Sequence, residues 1–353
     1  MNHLIPRAIR LQYSLNDEQG TRNNTCRATT VSHTLHIETT DGSIQPFVLH
    51  GVGGGSVPMP LRRVARAANR TLRRLGIEVR YVRRDRAHQS VVIPTLLEDA
   101  ASAWHFERVG HPAAFPCALS HCVNSNGFNY AVDGWDPFVM CAREFIADAT
   151  LTYEASVLAR YYDSWQPRDA AEATLCFDWG EPPLGGMPSH LFALYPWLPD
   201  SFEEFDARVR SWVRHDNQEH GHASSSIELE GYKVHGPVSQ AIGRLEFRRL
   251  TEIVSSIGTN GYDRARGDVF VVQVRQGSES RFIEQGGMHR MAAMAALGHD
   301  HIPARLLGVF DVNDVAYWPG VRLRRWTAHQ ARRYVRHLFE FEPRAWAESA
   351  SLS

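Results

Sequence analysis

The stretch that restricts the fold most runs from Arg281 to Leu307, RFIEQGGMHRMAAMAALGHDHIPARLL. Arg281-Phe282-Ile283 reads as a short extended segment, Gly286-Gly287 as a bend, and the apolar, alanine-rich run after it as a helix. Gly298 is the kind of residue on which a helix ends, and His301-Ile302-Pro303-Ala304-Arg305-Leu306-Leu307 reads as a further strand. Gly287-Met288-His289-Arg290 therefore sits where a strand hands over to a helix N-terminus. The first amides of a helix have no intrahelical partner, the helix dipole is positive there, and glycine lets an anion approach the backbone. His289 and Arg290 add side-chain donors, so Gly286, Gly287, Met288, His289 and Arg290 are the expected phosphate-binding residues.

These residues resemble the central signature of the ParB/sulfiredoxin superfamily: Gly-Gly-x-His-Arg, an alanine-rich helix ending near Leu-Gly, and Ile-Pro-Ala before an apolar strand. Leu250 to Ile257 is similar to the family's first helix, and Gly267-Asp268-Val269-Phe270-Val271-Val272 to the strand before the glycine turn, so the resemblance extends from Tyr232 to Leu307. It implies an α+β chain: a C-terminal ParB/sulfiredoxin-like nucleotide-binding domain after a larger mixed α/β N-terminal region. Sulfiredoxins carry a nucleophilic cysteine just before the His-Arg pair. Met288 stands there instead, and a thioether forms no thiolate, so that chemistry is not expected. Free-serine kinases of this fold keep the His-Arg pair and add a carboxylate base, which implies ATP or another nucleotide as cofactor, with Mg2+. DNA-binding ParB proteins have an Arg-rich version of the turn and a following helix-turn-helix domain; this chain lacks that turn, and no such domain is expected after Leu307.

The resemblance also assigns roles to the segment before its first helix. Gly231 to Ser239 matches the loop that faces the glycine turn in the resembling enzymes, so Lys233, His235 and Ser239 are expected to reach a phosphate, Ser239 alternatively serving as a helix cap. Glu246 is the expected base, taking the acceptor's hydroxyl proton as phosphoryl transfer begins. The competing reading gives Glu246 only a favourable charge near a helix N-terminus. Glu252, Asp268 and Glu284 are the alternative carboxylates, and Glu284, near Gly286, is a candidate for holding Mg2+ through water.

A net charge of −1 over 353 residues gives the whole molecule no field of the nucleic-acid-binding type. The five cysteines, irregularly spaced, do not form a disulfide framework, and no apolar run approaches the roughly 18 residues of a membrane span, so a cytoplasmic setting is expected. Cys117, His121 and Cys122 lack a second ligand pair at zinc spacing and read as a buried thiol pair, whereas His215, Asp216, Glu219, His220 and His222 read as a polar loop with the composition of a metal site.

The expected organisation is a mixed domain over residues 1–180, a linker and helix over 181–230, the nucleotide-binding domain over 231–310, and a helical extension over 311–353. Alternation along Ser32-His33-Thr34-Leu35-His36-Ile37-Glu38-Thr39 predicts two or three strands in residues 1–50, with turns near Asn16-Asp17 and Asp41-Gly42. Leu61 to Leu75 reads as an amphipathic helix whose outer face carries Arg62, Arg63, Arg66, Arg70, Arg73 and Arg74, either solvated or laid on an anionic membrane surface. Helices are also predicted over 138–162, 202–215 and 327–339. The function expected is an ATP-dependent kinase acting on a hydroxyl of a small molecule: a sugar, nucleoside, amino acid or lipid-linked glycan. The alternatives are a nucleotide-binding switch or partner module without turnover, and a ParB-like DNA-binding protein or nuclease.

Overall fold

The computed structural model describes residues 93–222 and 226–352 in full, and, by backbone alone, the strands β1 (Arg10–Leu15), β2 (Thr30–Glu38) and β3 (Ile44–Val52). The chain forms two compact units, Met1–Ser90 and Val91–Ser353. In the first, the three strands make an antiparallel meander in the order β1-β2-β3, with β2 paired to β3 from Thr30 opposite Val52 to Glu38 opposite Ile44. The expected basic helix over 61–75 lies outside the described residues.

The second unit is a six-stranded mixed sheet with helices on both faces. In chain order its main elements are β4 (Thr95–Leu96), α1 (Ala100–Arg108), β5 (Ala113–Ala118), β6 (Cys122–Val123), α2 (Pro137–Ala147), α3 (Val157–Ser164) and α4 (Phe202–Glu219). There follow β7 (Gly231–Tyr232), β8 (His235–Val238), α5 (Gln240–Asn260), β9 (Val269–Gln276), β10 (Glu279–Gly286), α6 (Met288–Ala296), β11 (His301–Asp311), α7 (Ala328–Glu340) and α8 (Pro343–Ser349). The strand order is β4-β5-β11-β9-β10-β6; β9 and β10 form an antiparallel hairpin, and β11 returns parallel to β9 on its other side.

Sequence explains why β9 is central. Val271 and Val272 are adjacent yet both buried, which a strand achieves only when both sheet faces are covered. Val269 and Val271 pack into one core with residues of α2, α3, α5 and α6, while Val272 and Val274 pack into another with Phe205, Trp197, Tyr334 and Leu338. The cores explain two departures from the expected organisation. Residues 231–310 are not a separate domain, because β4, β5 and β6, from before residue 180, complete their sheet. Nor is 181–230 a linker, since Leu184, Leu191, Leu194 and Trp197 are buried in the second core.

The helix expected over 138–162 is broken into α2 and α3. Asp148 accepts from the Thr150 amide, a local bond that competes with continuation of the helix, and Ser156 restarts it as the cap of α3. By contrast α4, capped by a reciprocal Ser201–Glu204 pair, runs on past His215 to Glu219. Among the described residues no helix is long and apolar enough to cross a membrane.

Candidate functional site

The β10–α6 junction forms as expected and opens onto a cleft of about 590 Å3. Gly287 caps α6 at φ +105°, a backbone region that side chains disfavour, and a Cβ there would lie 2.7 Å from Val269 Cγ1. Gly286 differs: it ends β10, and a Cβ on it would make ordinary contact with Phe270 at 3.5 Å. Gly286, Gly287, Met288, His289 and Arg290 all line the cleft, together with Lys233, Asp216, Arg249 and Glu284.

Lys233 is brought there by α3. The hydroxyls of Tyr161 and Tyr162 donate to the carbonyls of Val234 (2.9 Å) and Lys233 (2.6 Å), fixing the turn between β7 and β8. Lys233 Nζ then meets Asp216 Oδ2 at 2.6 Å and sits 4.5 Å over the Trp212 ring. Asp216 also accepts from Arg249 at 2.9 Å, Arg249 donates to Glu246 at 2.7 Å, and Glu246 Oε2 lies 3.0 Å from His289 Nε2. An unbroken run of contacts, from half-buried Lys233, Asp216 and Arg249 to buried Glu246 and His289, thus links α4, the β7–β8 turn, α5 and α6. The final contact is an ion-pair distance without hydrogen-bond alignment, so Glu246 Oε2 and His289 Nε2 both lack a hydrogen-bond partner.

Glu246 is consequently not where a base must be. Its side chain is fully buried and is absent from the cleft wall. Burial alone would push its carboxyl up, but Lys233, His289 and Arg249 outweigh that and hold it well below the usual carboxylate range. Burial also holds the His289 imidazole below its ordinary value against the pull of Glu246. A carboxylate so strongly stabilised as the anion is a poor proton acceptor; Glu246 positions His289 and Arg249 instead.

The carboxylates that face the cleft are Asp216, paired with Lys233 and Arg249, and Glu284. Half-buried at the end of β10, Glu284 is pushed up to about 7 by burial, with Asp136 adding to the rise and Lys233, Arg290 and the Met288 amide opposing it. Its carboxyl lies at the start of α6, close to the positive end of that helix. Among the described residues no three His, Cys, Asp or Glu side chains gather to hold an ion, the 215–222 segment included. In that segment His215 and Glu219 are exposed, His220 bonds the Asp216 carbonyl at 2.7 Å, and His222 lies 3.4 Å from Glu230.

Arg290 lines the cleft but also braces the loop before β9, donating to the carbonyls of Gly267 and Arg266. His235 and Ser239 do not belong to the site. His235 is 2 % exposed, bonds the Gly236 carbonyl at 2.8 Å, and with Ser239 lines a separate cavity of about 310 Å3. Ser239 is the cap of α5, accepting from the Ile242 amide at 3.2 Å and donating to Glu230. Of the remaining carboxylates, Glu252 is exposed on α5 and Asp268 is locked to Arg264 at 2.7 Å. Cys117 and Cys122 are buried free thiols with their sulfurs 3.4 Å apart.

Sequence reasoning missed Asp216 as a cleft residue, Arg249, and the group Asn124, Ser125 and Tyr195. Arg249 carried a signal, since it stands one helical turn after Glu246. The other group carried none: the Tyr195 hydroxyl bonds Ser125 and accepts from Gln285 at 2.9 Å across 90 residues. Taken together, four cations (Arg208, Lys233, Arg249 and Arg290), the Glu284 carboxyl and a helix N-terminus in one cleft can orient an anionic group and remove a proton beside it. No family model matches this chain, and no curated protein matches it significantly.

Proposed function

We propose that the chain is a nucleotide-dependent phosphotransferase whose C-terminal part is ParB/sulfiredoxin-like, moving the terminal phosphoryl group of a nucleoside triphosphate to a hydroxyl of a small acceptor. The observation that carries this is the make-up of the cleft: Glu284, whose carboxyl burial pushes up to about 7, is seated beside Gly286-Gly287 in a wall shared with Lys233, Arg249 and Arg290. The strand, paired glycines, helix and strand in the order β10-α6-β11 support the resemblance over residues 232–307. In the reaction the acceptor oxygen bonds the terminal phosphorus, the bond from that phosphorus to the bridging oxygen breaks, and Glu284 takes the hydroxyl proton. Arg290, Lys233 and Arg249 meet the charge left on the nucleoside diphosphate. Magnesium enters as part of the Mg2+–nucleotide substrate, a common arrangement for an ion that keeps most of its waters. Sugars, nucleosides, amino acids and lipid-linked glycans are the acceptor classes within this proposal.

A second reading, a nucleotide-binding switch without turnover, is favoured by one observation: Asp216 already neutralises part of the charge on Lys233 and Arg249. Incubating the full chain with terminally labelled Mg2+–ATP and pooled hydroxyl-bearing metabolites separates the two. Transfer to an acceptor is expected, rising with pH through about 7 as Glu284 ionises and level above it. Glu284→Gln should slow transfer by about 100-fold or more and abolish the pH dependence. Binding without transfer to any acceptor leaves the switch reading standing. If calorimetry with Mg2+–nucleotides shows no heat, or heat that Arg290→Ala does not diminish, both readings fail.

A further inference from the structure

Beyond the glycine turn the cleft has an aromatic end, built by one face of α4. Phe205, Val209, Trp212 and Asp216 follow one another at helical spacing along its wall. Trp212 is 45 % exposed although it is large and apolar; Lys233 covers one face of its indole and Tyr232 meets it edge-on at 6.3 Å. An open indole in a charged cleft is a stacking platform for a flat ring.

The charged side chains near such a ring are engaged elsewhere, and the Tyr232 hydroxyl is a single group, not a matched set of donors and acceptors. Arg208 is paired with Asp200 at 2.9 Å, and Asp216 is shared between Lys233 and Arg249. The side-chain amides in the wall belong to the glycine-turn end: Asn124 donates to Asp136 at 3.2 Å, and Gln285 to Tyr195. Discrimination between bases rests on paired donors and acceptors facing their edges, whereas stacking tolerates every base because each has a π-face.

We infer that Trp212 seats the base of the nucleotide by stacking without reading its edge, so that the cleft accepts purine and pyrimidine nucleoside triphosphates alike. This rests on the nucleotide reading above. It makes Trp212 a substrate-binding residue and places the nucleoside along α4, with the phosphates running toward Gly287.

Calorimetry on the full chain with Mg2+ complexes of ATP, GTP, CTP and inorganic tripolyphosphate tests it. The three nucleotides should bind within about tenfold of one another, and each more tightly than tripolyphosphate. Trp212→Ala should weaken all three by about 10- to 100-fold and leave tripolyphosphate unchanged, while Trp212→Phe restores most of the loss. The variant should fold, because the indole is half exposed; a thermal melt matching that of the unaltered chain verifies this. A preference above about 100-fold for one base, or equal weakening of tripolyphosphate by Trp212→Ala, overturns the inference while leaving the triphosphate site intact. Failure of tripolyphosphate and nucleotides alike to bind overturns the phosphotransferase reading as well.

Discussion

At the scale of single residues, environment divides the roles of two glutamates that sequence alone ranked in the opposite order. Glu246 is sealed behind His289 beside Lys233 and Arg249 and is held well below the usual carboxylate range, whereas half-buried Glu284, with weaker compensation, is pushed up to about 7. The spacing of Glu246 and Arg249 on one helix was readable, but the chain onward to Asp216 and Lys233 joins residues from other elements and left no local trace. Replacing Glu246 by Gln should cost about 3 kcal/mol at pH 7, because it leaves His289 and Arg249 with an uncharged neighbour in a buried setting. Since the folded carboxyl is held below its ordinary value of about 4.3, that stabilisation is complete above this pH and is lost as pH falls through the folded value. Urea titrations of the two forms at pH 7 and in acid should show a gap that narrows in acid; equal midpoints at pH 7 would show the pair to be energetically idle.

At the scale of elements, most of what the chain announces locally is present: β10, α6 and β11 lie where the glycine, alanine and Ile-Pro-Ala signals put them, and α7 begins at its Thr327 cap. The signals were less informative about which glycine matters. Gly286 and Gly287 look equivalent in sequence, yet only Gly287 has a left-handed backbone and a crowded Cβ position. Gly287→Ala should therefore destabilise by about 2–4 kcal/mol, combining backbone strain with the clash against Val269. Gly286→Ala should stay within about 1 kcal/mol of the original. Thermal melts of the two variants check this, and similar losses at both positions would mean that the bend depends on flexibility and not on handedness.

At the scale of the whole molecule, the boundaries drawn from composition failed because strand partners cannot be read from a local pattern. Glu181 to Pro199, rich in proline and glycine, looks like a connector but fills a core with Leu184, Leu191, Leu194 and Trp197. The unit Val91–Ser353 holds its complete sheet and both cores, so produced alone it should melt cooperatively within about 3 °C of the full chain. Residues 231–310 produced alone should show no cooperative melt by circular dichroism, since β5 and β6 are missing from the edges of their sheet. A sharp transition in that fragment would mean that β9, β10 and β11 suffice by themselves.

The distance along the chain between β5 and its neighbour β11 also governs how the protein is made. When Ala113–Ala118 leaves the ribosome, the strand it pairs with, His301–Asp311, has not been synthesised. One edge of β5 can pair with β4, already made, but the donors and acceptors of the edge that faces β11 stay unmatched through much of translation, and loop closure over so long an interval is slow. Until the last strand arrives that edge is open to pairing with any other strand it meets.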